Sequence, residues 1–194
     1  MLGVIGGRGF YSFFGTDART VTLDTPYGLP SGPITFGIVG DREVAFLPRH
    51  GHHRENSPHA VPYRANMWAL RSLGVRRIFG PCTVGSRTAT LRPGAVVVPD
   101  PYCPGLRSAV TGLGEVADGG TLINLTGCPE SALAREFEMC YAAIALVADP
   151  DAESQHHPRP FQRLVFDALG RVTGTGTCAH CRTHVDLMRP VELP

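Results

Sequence analysis

Arg49 and His50 set a guanidinium fork beside an imidazole just after the β-rich run Glu43 to Leu47. With glycine-turn amides and a threonine hydroxyl, that pair suits a phosphate dianion, because the fork donates two parallel hydrogen bonds to adjacent oxygens. Gly6-Gly7-Arg8-Gly9 follows the apolar run Leu2 to Ile5, and such a turn lets backbone N–H groups converge on an anion. It lacks the third glycine of a dinucleotide fingerprint and the Lys-Ser/Thr of a P-loop. Asp149 and Asp151 lie just past the apolar run Ala143 to Val147. They accept hydrogen bonds as carboxylates, and one donates if it is protonated. Taken singly, these residues equally suit a solvated ion pair or a turn cap.

The elements that must position them alternate. Strands are expected at Leu2 to Ile5, at Ile34 to Val39 and Glu43 to Leu47 joined by the Gly40-Asp41-Arg42 turn, at Arg76 to Pro81, at Ala95 to Val98 and at Ala143 to Val147. Helices are expected from Tyr63 to Leu73, from about Pro129 to Cys140 and from Phe161 to Val172, each with apolar residues on one side. Residues 51–62 read as a polar connecting loop, and Asp100 to Gly120 as a loop-rich stretch. The order implies a single α/β domain with a central mixed sheet flanked by helices. In open α/β sheets ligands gather beyond the carboxyl ends of the strands, where Gly7, Arg49, Thr83, Thr126 and Asp149 would all lie.

Composition narrows the classes. At 194 residues with 43% hydrophobic and 18% charged residues, the chain can bury a core without metal or disulfide, and no apolar run approaches a membrane span. A net charge of +1 provides no global field toward nucleic acid or an anionic membrane. All 18 basic residues are arginine, which excludes lysine Schiff-base and P-loop lysine chemistry. The amino terminus does not read as a signal peptide, so a cytoplasmic address is expected, with the six cysteines as free thiols.

Several segments taken together are more specific. Val4-Ile5-Gly6-Gly7-Arg8-Gly9-Phe10, Asp24-Thr25-Pro26-Tyr27-Gly28, Arg49-His50-Gly51 and Tyr63 to Leu70 are followed by Gly80-Pro81-Cys82-Thr83-Val84-Gly85-Ser86. Asn124-Leu125-Thr126 with Pro129-Glu130, and Cys140 to Ala145 with Asp149-Pro150-Asp151, complete the series. In this order they resemble the trimeric purine nucleoside phosphorylases, in the 5'-methylthioadenosine phosphorylase branch, over most of the chain.

The resemblance implies phosphorolysis, in which phosphate attacks the anomeric carbon as the purine leaves. It implies phosphate held by Arg49, His50 and Thr126, assisted by Gly7, Arg8, Cys82 and Thr83. It further implies that Asp149 acts at purine N7, that Asp151 accepts from the 6-amino group, and that Leu125 and Asn124 lie against the nucleoside. Thr83 counts among the nucleoside contacts as well. The implied partners are a purine nucleoside and phosphate, within a homotrimer, with no cofactor. The chain departs from the pattern at Arg8, where Thr or Ser is usual, and is abbreviated near residues 100, 121 and 152. Other 5'-substituted substrates, such as 5'-halogenated adenosines or methylthioinosine, fit the same pattern, and the shortened loops also fit a nucleoside-binding protein without turnover.

The tail Cys178-Ala179-His180-Cys181-Arg182-Thr183-His184 offers two thiols and two imidazoles, chemically suited to tetrahedral zinc. Adjacent His180 and Cys181 are too compressed to converge on one ion with both flanking ligands. The tail side chains are therefore expected to be free, the cluster around His50, His52, His53 and His59 to be a polar loop, and no metal is assigned.

Overall fold

Strand β1, Leu2–Gly6, is buried at every position, as a continuous apolar run must be when both faces of its sheet are covered. It lies at the centre of the fold, between β4, Arg42–Pro48, and β5, Arg77–Ser86, and runs parallel to both. The computed structural model describes residues 1–7, 10, 13–15, 18–100, 103, 106, 109–110, 115–118, 122–148, 158–174 and 176–181. Its remaining strands are β2 (Thr20–Val21), β3 (Ile34–Val39), β6 (Val96–Asp100), β7 (Glu115–Asp118), β8 (Leu122–Ile123) and β9 (Cys140–Val147). The helices are α1 (Tyr63–Ser72), α2 (Gly127–Glu136) and α3 (Pro158–Arg171).

The strands form one mixed sheet in the order β2-β3-β4-β1-β5-β9-β6-β7, with β8 paired to β5. Its centre, β4-β1-β5-β9, is parallel throughout. Side chains alternate across it. Val4, Phe46, Ile144 and Leu146 pack on one face with Phe161, Val165 and Leu169 of α3. Ile5, Leu47, Ala143 and Ala145 pack on the other with Met67 and Leu70 of α1 and Ala134 of α2. The result is a sheet between two helical layers, the expected α/β class. No described helix is long and apolar enough to cross a membrane.

Local boundaries differ from the sequence pattern where the sheet overrides it. The helix expected to reach Cys140 stops at Glu136, because Glu138 turns at φ 55° and the Cys140 N–H is drawn to the Arg76 carbonyl at 2.9 Å. Strand β5 continues to Ser86 because it stays paired with β9 as far as Val84 and Val147 and then with β8 through Gly85 and Ser86. The loop-rich stretch contains β7, held beside β6 from Val97 to Asp100. The hairpin at Gly40 forms as expected, with Val39 opposite Arg42 and the glycine at φ 64°.

Candidate active site

Because β4, β1, β5 and β9 run parallel, the segments that leave their carboxyl ends emerge along one edge of the sheet. They enclose a cavity of about 520 Å³, within the range of small-molecule sites. Gly7 enters it after β1, Arg49 and His50 after β4, and Cys82 and Thr83 from the second half of β5. Asn124, Leu125 and Thr126 close it from the turn between β8 and α2, and Ala148 lines it just past β9. All the sequence-derived site residues that the structure describes therefore meet in one place. Arg8, Asp149 and Asp151 lie outside the described residues.

The structure assigns the Arg49 fork differently from the sequence reading. Its side chain is buried, with Nε donating to Glu130 Oε1 at 2.5 Å and one terminal nitrogen donating to Glu130 Oε2 at 3.0 Å. That nitrogen also donates to the Ile5 carbonyl at 2.8 Å, and the other donates to the Pro81 carbonyl at 2.9 Å. Burial by itself would lower the pKa of the guanidinium, but the Glu130 carboxylate outweighs it and the net displacement is upward. Four of the five N–H groups are thus committed within the protein. The fork grips a carboxylate, and Nη1, from which the remaining N–H extends, lies 2.9 Å from where a Cβ on Gly7 would stand. Glu130 also accepts from the Tyr141 hydroxyl at 2.5 Å, and burial first, then Glu130, hold that phenol well above its ordinary pKa.

His50 is oriented by its backbone neighbourhood. Its Nδ1 lies 2.9 Å from the Asn56 carbonyl, which can only accept, so Nδ1 carries the proton there. Nε2 sits on the Gly7 side of the ring, 3.8 Å from where a Gly7 Cβ would stand. A ring fixed in this way presents Nε2 as an acceptor when neutral and as a donor to an anion when protonated.

Asn124 shapes the cavity with both ends of its amide. Its oxygen accepts the N–H groups of Thr126 and Gly127 at 3.0 and 3.1 Å, satisfying donors at the start of α2. Its nitrogen donates to Cys82 Sγ at 3.4 Å. The Cys82 thiol itself points to the Ile144 carbonyl, and burial pushes its pKa up to about 11. It is a neutral wall at physiological pH and provides no anion-binding charge. Thr126 stands at the positive end of α2, whose dipole favours an anion.

Residues absent from the sequence-derived set complete the walls. Arg54, Asn56 and Pro58 come from the loop after His50, and Ile123 from β8. Arg54 sits at φ 63°, and its only sequence signal is that it falls in the polar loop. Ile123 and Leu125 are 54% and 69% exposed, so the cavity lining includes an apolar patch as well as polar groups.

A mixed sheet whose parallel centre opens into a ligand-sized cavity at its strand ends fits an established family. The chain belongs to the phosphorylase superfamily, whose sequence profile matches residues 2–115. Over its whole length it is 50% identical to S-methyl-5'-thioadenosine phosphorylase of Mycolicibacterium smegmatis, all of which is covered by 258 aligned positions. Since the chain has 194 residues, at least 64 of those positions hold no residue of it. It is 38% identical to purine nucleoside phosphorylase of Streptomyces coelicolor, over 79% of the chain and 77% of that relative. The fold matches methylthioadenosine phosphorylase of Schistosoma mansoni, with TM-score 0.78 at 24% identity over 87% of the chain and 90% of that structure. It also matches a methylthioadenosine phosphorylase from an antarctic soil metagenomic library, with TM-score 0.72 at 29% identity over 87% and 85%.

Removing the Glu130 carboxylate leaves the Arg49 charge buried and unpaired, so Glu130→Ala should destabilise the protein by about 3–5 kcal/mol in urea denaturation. The Cys82 thiol binds its proton more tightly folded than unfolded, so its contribution to stability is complete below about pH 9. That contribution should be lost as the pH rises from about 9 to about 11. In step with it, Cys82 should resist iodoacetamide at neutral pH and become alkylated only near pH 11, as read by peptide mass mapping.

Proposed function

We propose that the protein catalyses phosphorolysis of 5'-methylthioadenosine, giving adenine and 5-methylthioribose 1-phosphate. The observation that carries this reading is the 50% identity, over both full lengths, to a relative that bears the name of that activity. The cavity supplies a physical account of how the work would be divided.

On the polar side, phosphate would sit between the Gly7 turn, His50 Nε2, Thr83 and the Thr126 end of α2, with the remaining Arg49 N–H behind it. Arg8 would add positive charge from the same turn. This arrangement holds a nucleophile in line, and proximity and electrostatics together supply most of the acceleration in such a reaction. As a phosphate oxygen bonds to the anomeric carbon, the bond from that carbon to the purine nitrogen breaks and its electron pair moves into the base. Asp149 would share a proton at purine N7 as charge builds there, and Asp151 would accept from the 6-amino group. The exposed Leu125 and Ile123 would face the ribose and its 5'-methylthio substituent. No covalent intermediate is required, which agrees with a Cys82 thiol held neutral.

The family resemblance also motivates a cytoplasmic homotrimer built from one domain spanning residues 1–194, shortened near 100, 121 and 152. A second reading, nucleoside binding without turnover, is favoured by the 64 or more alignment positions at which the chain has no residue.

Incubation with 5'-methylthioadenosine, read by chromatography of released adenine, separates the two. Turnover should depend on added phosphate and be lost in Asp149→Asn. His50→Ala should lower kcat/KM for phosphate roughly ten- to hundredfold, the scale of one charge-assisted hydrogen bond. Saturable nucleoside binding with no adenine released at any phosphate concentration would establish the second reading instead. Light scattering should give a particle of three times 20.8 kDa, and a monomer at micromolar concentration would defeat the trimer.

A further inference from the structure

The fold gathers four cysteines that the cavity does not use. Cys103 follows β6, Cys140 opens β9, Cys178 precedes the short 3-10 turn Ala179–Cys181, and Cys181 ends it. Their four sulfur atoms all lie within 4.8 Å of one another, and those of Cys103 and Cys178 are 3.3 Å apart. From these positions we infer a structural zinc site, with Cys103, Cys140, Cys178 and Cys181 as its four ligands.

The geometry is that of a single tetrahedral ion. With zinc–sulfur bonds of about 2.3 Å, the sulfurs of a tetrahedron stand about 3.8 Å apart, which is the separation the quartet brackets. A cluster of several irons would spread its thiolates more widely. The Cys178-x-x-Cys181 spacing is that of a zinc knuckle, and its turn is already formed, with the Cys181 N–H donating to the Cys178 carbonyl at 3.0 Å. The Cys178 N–H donates to Cys140 Sγ at 3.3 Å, a contact that stabilises a thiolate.

Electrostatics points the same way. Four thiolates so close together repel one another, and a soft divalent cation is what allows all of them to ionise. Cys103, Cys140 and Cys181 are buried in the core layer beneath α3, so bulk solvent cannot supply the compensation. All four ligands are thiols with no open position among them, which marks a structural rather than a catalytic site.

The tail reading is revised accordingly: Cys178 and Cys181 take their partners from Cys103 and Cys140, 75 and 38 residues away. His184 lies outside the described residues. The site would clamp residues 173–181 to the sheet, where Arg77 already donates to the Thr173 carbonyl and, at 2.7 Å, to that of Gly176. Thr177 reinforces this by donating to the Glu138 carbonyl at 2.7 Å. Cys140 begins β9 and Ala148 follows its end, so the metal lies roughly 26 Å along the strand from the Ala148 wall of the cavity. Its loss should therefore lower stability without altering binding in the cavity directly.

The test uses the full chain purified without chelator. Elemental analysis after dialysis should give one zinc per chain, with the four quartet thiols unreactive to Ellman's reagent until zinc is removed and the buried Cys82 unreactive at neutral pH in either state. Cobalt added to the zinc-free protein should give the visible bands of tetrahedral thiolate coordination, and zinc should bleach them. Cys128→Ser, which alters an exposed cysteine outside the quartet, should retain the metal, whereas Cys181→Ser should lose it and melt at a lower temperature. Protein purified without zinc, with its four quartet thiols reactive and no cobalt bands, would overturn the assignment. So would a metal-free chain lighter by four hydrogens, the mark of two disulfides.

Discussion

The ion pair between Arg49 and Glu130 is the contact on which the cavity end of the molecule depends. Placing two charges in a dry interior is costly, and the arrangement is tolerable only because nearly every donor and acceptor is matched. The guanidinium reaches Glu130 on α2, the Ile5 carbonyl of β1 and the Pro81 carbonyl of β5, and Tyr141 of β9 completes the carboxylate. One side chain after β4 thereby ties together the three other strands of the parallel centre and the helix that carries Thr126. The floor of the cavity is a consequence of that knot, since shifting any of these elements would strand a buried charge.

Above the knot the two walls have different physical characters. The polar wall is assembled from strand ends and a helix start, where backbone dipoles and donors point outward. The apolar wall comes from Ile123 and Leu125, beside a β8 too short to carry a face of its own. Asn124 joins the two walls, because its amide oxygen settles the start of α2 while its nitrogen fixes the Cys82 thiol. A residue read from sequence as a substrate contact thus acts as part of the frame. The sheet also keeps two specialised regions apart, with the cavity at the carboxyl end of β9 and the cysteine quartet at its amino end. A strand buried along its whole length is a rigid spacer, so each end can be tuned without disturbing the other.

Much of this was legible in the residues themselves. Apolar runs and their glycine stops located most of the strands and all three helices, and the rule that ligands gather at strand ends brought Gly7, Arg49, Thr83 and Thr126 to one place. These are local signals, set by side-chain periodicity and turn chemistry within a few residues. Where local preference met the sheet, the sheet prevailed: the Met139 N–H still closes α2 on the Ala134 carbonyl, but that of Cys140 is claimed by the Arg76 carbonyl beside β5.

Tertiary structure alone decided the partners. Nothing near Arg49 announces that its fork belongs to a carboxylate 81 residues later, and nothing near Cys178 announces Cys103 or Cys140. The residue types that can grip an anion or a metal are written along the chain, because chemistry resides in side chains. Which of them grips a ligand and which grips another residue depends on strand order, because only a closed sheet brings those atoms within reach and removes the water that would otherwise satisfy them.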